Sequence, residues 1–434
     1  MRKIRIHLAL LFCLAVLNPS LGANGLNLNS LGTKALTMGG AFVGLADDFS
    51  AVFWNPAGIA QFKQKYFGFY GVDIIPSGTY RFAVGPVTLV DAQTQRKHYL
   101  GALAAYYHPV AENVVAGIGF YTPSGLGAKW DGNDFQSITF GMPYRWESKI
   151  GMFTIAPALA LKVHEKISVG ASLNVNYATF AIKTHAGDTE MGVDLGQYDE
   201  SLNGWGVGAT IGILFKPDEK WSFGTVIRTP SRISFSGDVE VSFLSVLAMV
   251  PGTPLFGADI ATETSMDRKI AWPWWVGAGV AFKPIDGLTL TGDLQWTRWS
   301  SIDMLESTFD DAIWDLILES ERPMFWKDAL QIRLGAEYKL GTMAFRGGYY
   351  WDPSPAPDKT LNVLLPSFDF HVLTGGIAYA LDGLQVEFGI EYLMGKERSV
   401  DHGKVQTDPE WKTAQPGVYD MNVLAPNISV SFKF

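Results

Sequence analysis

The sequence predicts an all-β fold: a 14-stranded antiparallel transmembrane β-barrel with an N-terminal lumenal hatch of short helices. Three observations carry that expectation. Hydrophobic residues make up 47% of the 434 residues and charged residues only 18%, yet no apolar run of membrane-helix length follows the N-terminus. Bulky apolar residues alternate with glycine and polar residues along many segments. Short, turn-rich connections alternate with long irregular ones.

Residues 1–22 have the pattern of a secretory signal. Arg2, Lys3 and Arg5 precede the apolar run Ile6 to Leu17, Asn18-Pro19 breaks it, and Ser20 and Gly22 are small enough for cleavage. Cleavage falls after Gly22 or after Ala23. The sole cysteine, Cys13, lies inside this signal behind Phe12, which does not suit lipid attachment. The mature chain therefore has no disulfide, thiolate metal site or cysteine nucleophile.

Residues 23–62 lack the period of two. Leu36, Met38, Phe42, Val43, Phe49, Val52, Phe53 and Trp54 are apolar without alternation, and Asn55-Pro56-Ala57 reads as a helix N-cap with proline at the first helical position. So apolar a prelude suits a plug inside a barrel lumen; the competing reading is a periplasmic extension. The barrel is expected over 63–434.

Within the barrel, Trp205, Val207, Ala209, Ile211, Ile213 and Phe215 share one face, opposite Gly204, Gly206, Gly208, Thr210 and Gly212. Segments 169–177, 288–297, 330–339 and 384–391 repeat the pattern. Apolar groups then face lipid and small or polar groups face the lumen. Aromatics near strand ends (Trp272, Trp274, Trp275, Trp296, Trp299, Tyr349, Tyr350 and Trp351) suggest an interfacial girdle. Six short turns and seven long loops, near 82–97, 128–147, 183–202, 241–267, 303–327, 353–367 and 398–417, join the strands. The last strand places Ile428, Val430, Phe432 and Phe434 on one face and ends the chain on Phe434. This resembles the signal by which the barrel assembly machinery recognises outer-membrane proteins.

The runs Gly32-Thr33-Lys34-Ala35-Leu36-Thr37-Met38-Gly39-Gly40-Ala41-Phe42-Val43, Ala46-Asp47-Asp48 and Phe53-Trp54-Asn55-Pro56-Ala57-Gly58 resemble the hatch of the FadL/TodX family. The likeness continues through Tyr121-Thr122-Pro123-Ser124-Gly125-Leu126-Gly127-Ala128-Lys129-Trp130 to Phe434. The resemblance implies an outer-membrane channel for passive uptake of long-chain fatty acids or aromatic hydrocarbons. It further implies capture by extracellular loops, a pocket beside the hatch, and sideways exit where the third strand kinks. Asn55, Pro56 and Ala57, with Phe53 and Trp54, would contact that kink; Pro123, Ser124 and Gly125 would form it. Pro123 cannot donate to a ladder and Gly125 weakens the strand, although the strand could equally end there into a loop.

In the loop at 241–260, Phe243, Leu244, Leu247, Met249, Leu255 and Phe256 are candidates for the outer substrate groove or for a lid. The segment 309–318 has helical spacing at Phe309, Ile313, Leu316 and Ile317 and suits a loop helix on the barrel mouth. Arg333, Arg346 and Arg228 are candidate partners for a substrate carboxylate; the competing role is lumenal ion pairing with Glu337, Glu387, Glu391 or Asp293.

The net charge of −9 and the lack of a basic stripe exclude nucleic acid. Scattered histidines, no Gly-x-Ser-x-Gly motif and no metal spacing argue against an enzyme, a metal site and a cofactor. The expected partners are a hydrophobic small molecule, outer-membrane lipid and the assembly machinery, for a monomer. A general diffusion porin with an open polar lumen is the alternative, and an outer-membrane hydrolase a remoter one.

Overall fold

A computed structural model describes residues 25–189, 192–251 and 254–434. The signal peptide and both cleavage positions lie outside the described residues.

Fourteen antiparallel strands form the wall. They are β1 (Tyr66–Val84), β2 (Tyr99–Ala111), β3 (Val114–Trp130), β4 (Trp146–His164), β5 (Ile167–His185), β6 (Gln197–Phe215), β7 (Trp221–Arg228, resumed at Ser231–Val241), β8 (Glu263–Trp272, resumed at Trp275–Phe282), β9 (Leu288–Thr297), β10 (Ala329–Leu340), β11 (Met343–Asp352), β12 (Phe370–Leu381), β13 (Leu384–Gly395) and β14 (Gly417–Lys433). Each pairs with the next, and β14 returns to β1 with Tyr66 opposite Lys433 and Phe67 opposite Phe432. Closure removes the free edges of the sheet except at a short gap between β2 and β3, as the interior of a membrane favours. The connections alternate short and long, so all long loops lie at the end opposite the hatch entry.

The period of two is realised as two surfaces. On β6, Trp205 and Val207 are 61% and 56% exposed while Thr210 between the strands' neighbours is fully buried. The aromatic girdle is smaller than expected. Trp272, Trp275, Trp299 and Tyr350 are buried in the interior, whereas Trp274 faces outward. The break at Pro273-Trp274 explains the first two: proline interrupts β8, so the tryptophans on either side of it both turn inward.

Residues 25–62 lie inside the barrel as two short helices, α1 (Thr33–Thr37) and α2 (Ala51–Trp54), and a 3₁₀ turn (Pro56–Gln61). Asn55 caps that turn, its side chain accepting from the Ala57 amide at 3.1 Å. The hatch is too short to satisfy its own backbone, and the wall does so instead. Asp293 on β9 accepts from the Phe42 and Val43 amides at 2.8 and 2.9 Å. Asn55 donates to the Val43 carbonyl and across to Ile213 on β6. Wall glycines make room for this contact. A Cβ on Gly212 would fall on the Asn55 side chain, one on Gly170 on the Pro56 carbonyl, and one on Gly335 on the Met38 carbonyl. The lumenal glycines are thus the seats of the hatch.

The outer loops fold over the mouth around Phe135, Trp299 and Trp314. A loop helix, α3 (Ala312–Ile317), buries Trp314, whose indole donates to the Ala261 carbonyl, and leaves Leu316 78% exposed. The spacing through Leu316 therefore does not mark the packed face. Phe309 ends a strand rather than starting the helix, which moves the buried position to Trp314.

Candidate functional site

The third strand carries a one-residue bulge. Tyr121 pairs with Thr154 on β4, but the next lumenal partner pair is Ser124 with Met152, leaving an extra residue at Thr122-Pro123. Proline has no amide hydrogen, so β3 cannot continue its ladder with β2 there. Pairing between β2 and β3 stops at Leu103–Tyr121. Beyond it Tyr99 and Gly101 pair only with β1, and Ser124–Ala128 only with β4. The seam closes again above, where Thr94 bridges Trp130 and the Gln95 amide donates to the Lys129 carbonyl at 2.7 Å. An unpaired window remains between Tyr99–Gly101 and Ser124–Ala128, with glycines at 101, 125 and 127.

The hatch residues hydrogen-bonded to this window are not those the Asn-Pro-Ala run predicts. The Leu28 amide donates to the Pro123 carbonyl at 2.8 Å, and the Ser124 hydroxyl donates to the Leu26 carbonyl. Asn55, Pro56 and Ala57 instead sit against Gly170 on β5 and Gly212 on β6. The reason is the cap itself: both polar ends of the Asn55 amide are used on Ile213, Val43 and Ala57. Phe53 and Trp54 do share a small cavity with Pro123. The sequence carries a signal for Leu26 and Leu28 in the alternation Leu26-Asn27-Leu28-Asn29, an extended segment with two different faces.

Behind the window lies a larger cavity, about 1150 Å³ of empty space including its mouth. Leu26 and Leu28 of the hatch, Val72 and Ile74 of β1, Tyr99 of β2 and Leu126 of β3 form its window side. Trp326 and Leu364 roof it from the loops, with Phe370 at the start of β12, and Leu393, Met421 and Val423 close the far wall. The lining is predominantly apolar. Its charged members are two acids, Asp352 and Glu391.

The three candidate arginines have different surroundings. Arg346 is buried between Glu337 and Glu387, 2.7 Å from each, and Lys34 of the hatch lies 3.7 Å from Glu337. Arg333 donates to the carbonyls of Asn29 and Gly39 and to Gln331, and lies 4.2 Å from the Tyr350 ring centre. Arg346 is committed to this ion-pair network and Arg333 to holding the hatch, and neither lines the large cavity. Arg228 donates to the Phe53 carbonyl at 2.6 Å and stacks on Phe53 and Trp275. Among the described residues it has no carboxylate within ion-pair distance. It lines a second, more polar cavity with Pro123, Asn174, Asn176 and Trp272. Asn27, which accepts from the Trp272 indole at 2.8 Å, separates the two spaces.

The loop candidates lie away from both cavities. Leu244 is fully buried in the loop core, Leu247 and Leu255 are half-buried against it, and Phe243, Met249 and Phe256 are exposed. Phe434 is exposed at the opposite end, its amide donating to the Lys65 carbonyl. Among the described residues no group of three or more His, Cys, Asp or Glu could hold a metal ion.

The chain is 24% identical to the long-chain fatty acid transport protein of Escherichia coli strain K12, across 93% of this chain and 95% of that protein. It is 23% identical to a putative outer membrane protein of Neisseria meningitidis serogroup B, across 93% and 90%. Its fold matches a Pseudomonas aeruginosa FadL homologue with a TM-score of 0.78 at 16% identity, covering 94% of this chain and all of that one. The Pseudomonas putida toluene transporter TodX matches at 0.71 and 16% identity, covering 95% and 99%. The model of the outer membrane protein transport family (OMPP1/FadL/TodX) matches residues 14–434. The 14-stranded wall, the lumenal hatch and that match together make this chain an outer-membrane β-barrel belonging to the OMPP1/FadL/TodX transport family.

Proposed function

We propose that the protein carries hydrophobic small molecules passively from the outer face into the cavity beside the hatch and releases them sideways through the β2–β3 window. The observation that carries this is the contact between an apolar cavity and a gap in strand pairing, at which Leu26 and Leu28 of the hatch bond Ser124 and Pro123. An apolar solute gains by moving from water to apolar surface and loses by crossing an aqueous pore. A lined path that opens into the membrane matches that preference, and no energy source is needed. The relatives' names support the class, since one is a long-chain fatty acid transport protein and another a toluene transporter.

Capture falls to the loops in this scheme. Phe243, Met249 and Phe256 present apolar surface to the outside, and Leu244 anchors their segment. Residues 25–62 fill the lumen, which opposes a general diffusion porin with an open polar channel. The protein acts as a transporter and not as an enzyme, as a monomer whose exposed Phe434 is available to the assembly machinery. Arg228 is the candidate arginine left without an acidic neighbour and would meet a carboxylate in the second cavity or in the small one beside Phe53, not in the large one.

The bulge is directly testable. Deleting Pro123 removes the extra residue and brings Thr122 and Ser124 into continuous register with β4, so β3 can pair with β2 through the window. Uptake of a labelled hydrophobic probe by cells is expected to fall at least about tenfold at equal surface abundance, because uniform pairing leaves no exit. Unchanged uptake with a properly assembled barrel would remove the window from the mechanism.

A further inference from the structure

The charged groups of the large cavity are of one sign. Both charged side chains in its lining are acids, and the cations predicted to meet a carboxylate point elsewhere. Asp352 is occupied: Asn29 donates to one oxygen at 2.7 Å and Gln331 to the other at 2.5 Å. Glu391 is different. It is 6% exposed, and the Tyr350 hydroxyl donates to Oε1 at 2.7 Å. The Tyr350 bond uses Oε1, so Oε2 is the oxygen left to the cavity. Nearby in the same lining, the buried Tyr70 hydroxyl has no partner among the described residues.

A buried acceptor in an apolar cavity is costly unless a donor reaches it. Water could serve in the empty state; a ligand that displaces it must bring a donor of its own. A carboxylate anion could accept from Tyr70 but brings no donor for Glu391, and it places a like charge beside two acids. A plain hydrocarbon fills the volume but leaves Oε2 unmet. We infer that the cavity receives an uncharged hydrophobic molecule bearing a hydroxyl group, an aliphatic alcohol or a phenol, whose hydroxyl donates to Glu391 while its apolar body lies along Val72, Ile74, Leu126, Phe370 and Val423. This rests on the cavity being the substrate site, as proposed above, and names the class of molecule that the site prefers.

Three ligands of similar length separate the alternatives: 1-decanol, 1-methoxynonane and decanoate. Each competes with tritiated 1-decanol for the purified, detergent-solubilised full-length barrel at pH 8, where decanoate is ionised. The alcohol is expected to bind at least about tenfold more tightly than decanoate, since like-charge contact is strongly disfavoured. The ether accepts but cannot donate, and is expected to bind several-fold more weakly than the alcohol. In Glu391→Gln, a near-isosteric change whose folding is checked by heat-modifiable gel migration, decanoate is expected to gain most and the alcohol–decanoate ratio to shrink. Decanoate binding as tightly as the alcohol, or an ether indistinguishable from it, overturns the hydroxyl assignment while leaving the cavity as substrate site. Failure of all three to displace the label overturns both.

Discussion

Asp48 shows what the hatch demands of single residues. Its carboxylate is buried, Oδ1 accepts from the Ser50 amide and hydroxyl, and Oδ2 has no partner. Burial, reinforced by Glu387, pushes its pKa from 3.8 up to about 7. Its neighbour Asp47 is only half-buried, and the Lys34 ammonium 2.7 Å away outweighs the desolvation and brings it down to about 2. The sign for Asp48 follows from linkage. The folded state favours the protonated form, so its stabilising effect is full below pH 3.8 and is lost as pH rises through about 7. A hatch better protected from protease at pH 5 than at pH 8 is expected in the wild type. Asp48→Asn should flatten that difference, which hydrogen exchange of residues 33–54 would measure. The sequence marks Asp47-Asp48 as a feature of the hatch but gives no hint that one carboxylate is paired and its neighbour is not. That depends on where Lys34 reaches, a distance set by the turn at Gly39 and Gly40, both with positive φ.

Elements were legible in proportion to how regular their environment is. The wall strands face lipid on one side and the lumen on the other, so their residues record the period directly. The phase placed Arg333, Arg346, Glu337, Glu387 and Glu391 inward, and their buried positions match. Which of them pair with one another was not readable, because partners lie on neighbouring strands and in the hatch. The competing role of lumenal ion pairing describes Arg346, and hatch anchoring describes Arg333. The hatch hides its geometry for a related reason: its contacts are made backbone-first, against wall glycines. Gly212→Val tests that logic. The new side chain would overlap Asn55 and displace the cap from β6. Loss of the cap and its bonds costs about 1–2 kcal/mol, and overpacking adds a similar amount. The barrel should still assemble, since the lipid face is untouched. The hatch should become protease-sensitive, and single-channel recordings should show conductance that the wild type lacks. A hatch as resistant as the wild type would mean that its seat is elsewhere.

At the scale of the whole molecule, a chain rich in apolar residues without membrane helices divides that surface three ways. One share faces lipid, one fills the lumen as the hatch, and one roofs the cavity from the loops. Fold and family were legible because alternation, loop spacing and the hatch runs are properties of sequence order. The cavity was not, because it is assembled from residues as distant as Leu26, Val72, Leu126, Trp326 and Val423. The Pro123 bulge was half legible: proline announces a break, but only register shows that β3 continues past it. Lateral release requires the window to be the exit. The mature chain has no native cysteine, so a pair at Leu100→Cys and Gly125→Cys, facing each other across the window, can be oxidised cleanly. Uptake of a labelled hydrophobic probe should be blocked in the oxidised protein and restored by a reductant, with cross-linking followed by gel shift. Undiminished uptake through a fully cross-linked barrel would contradict lateral release.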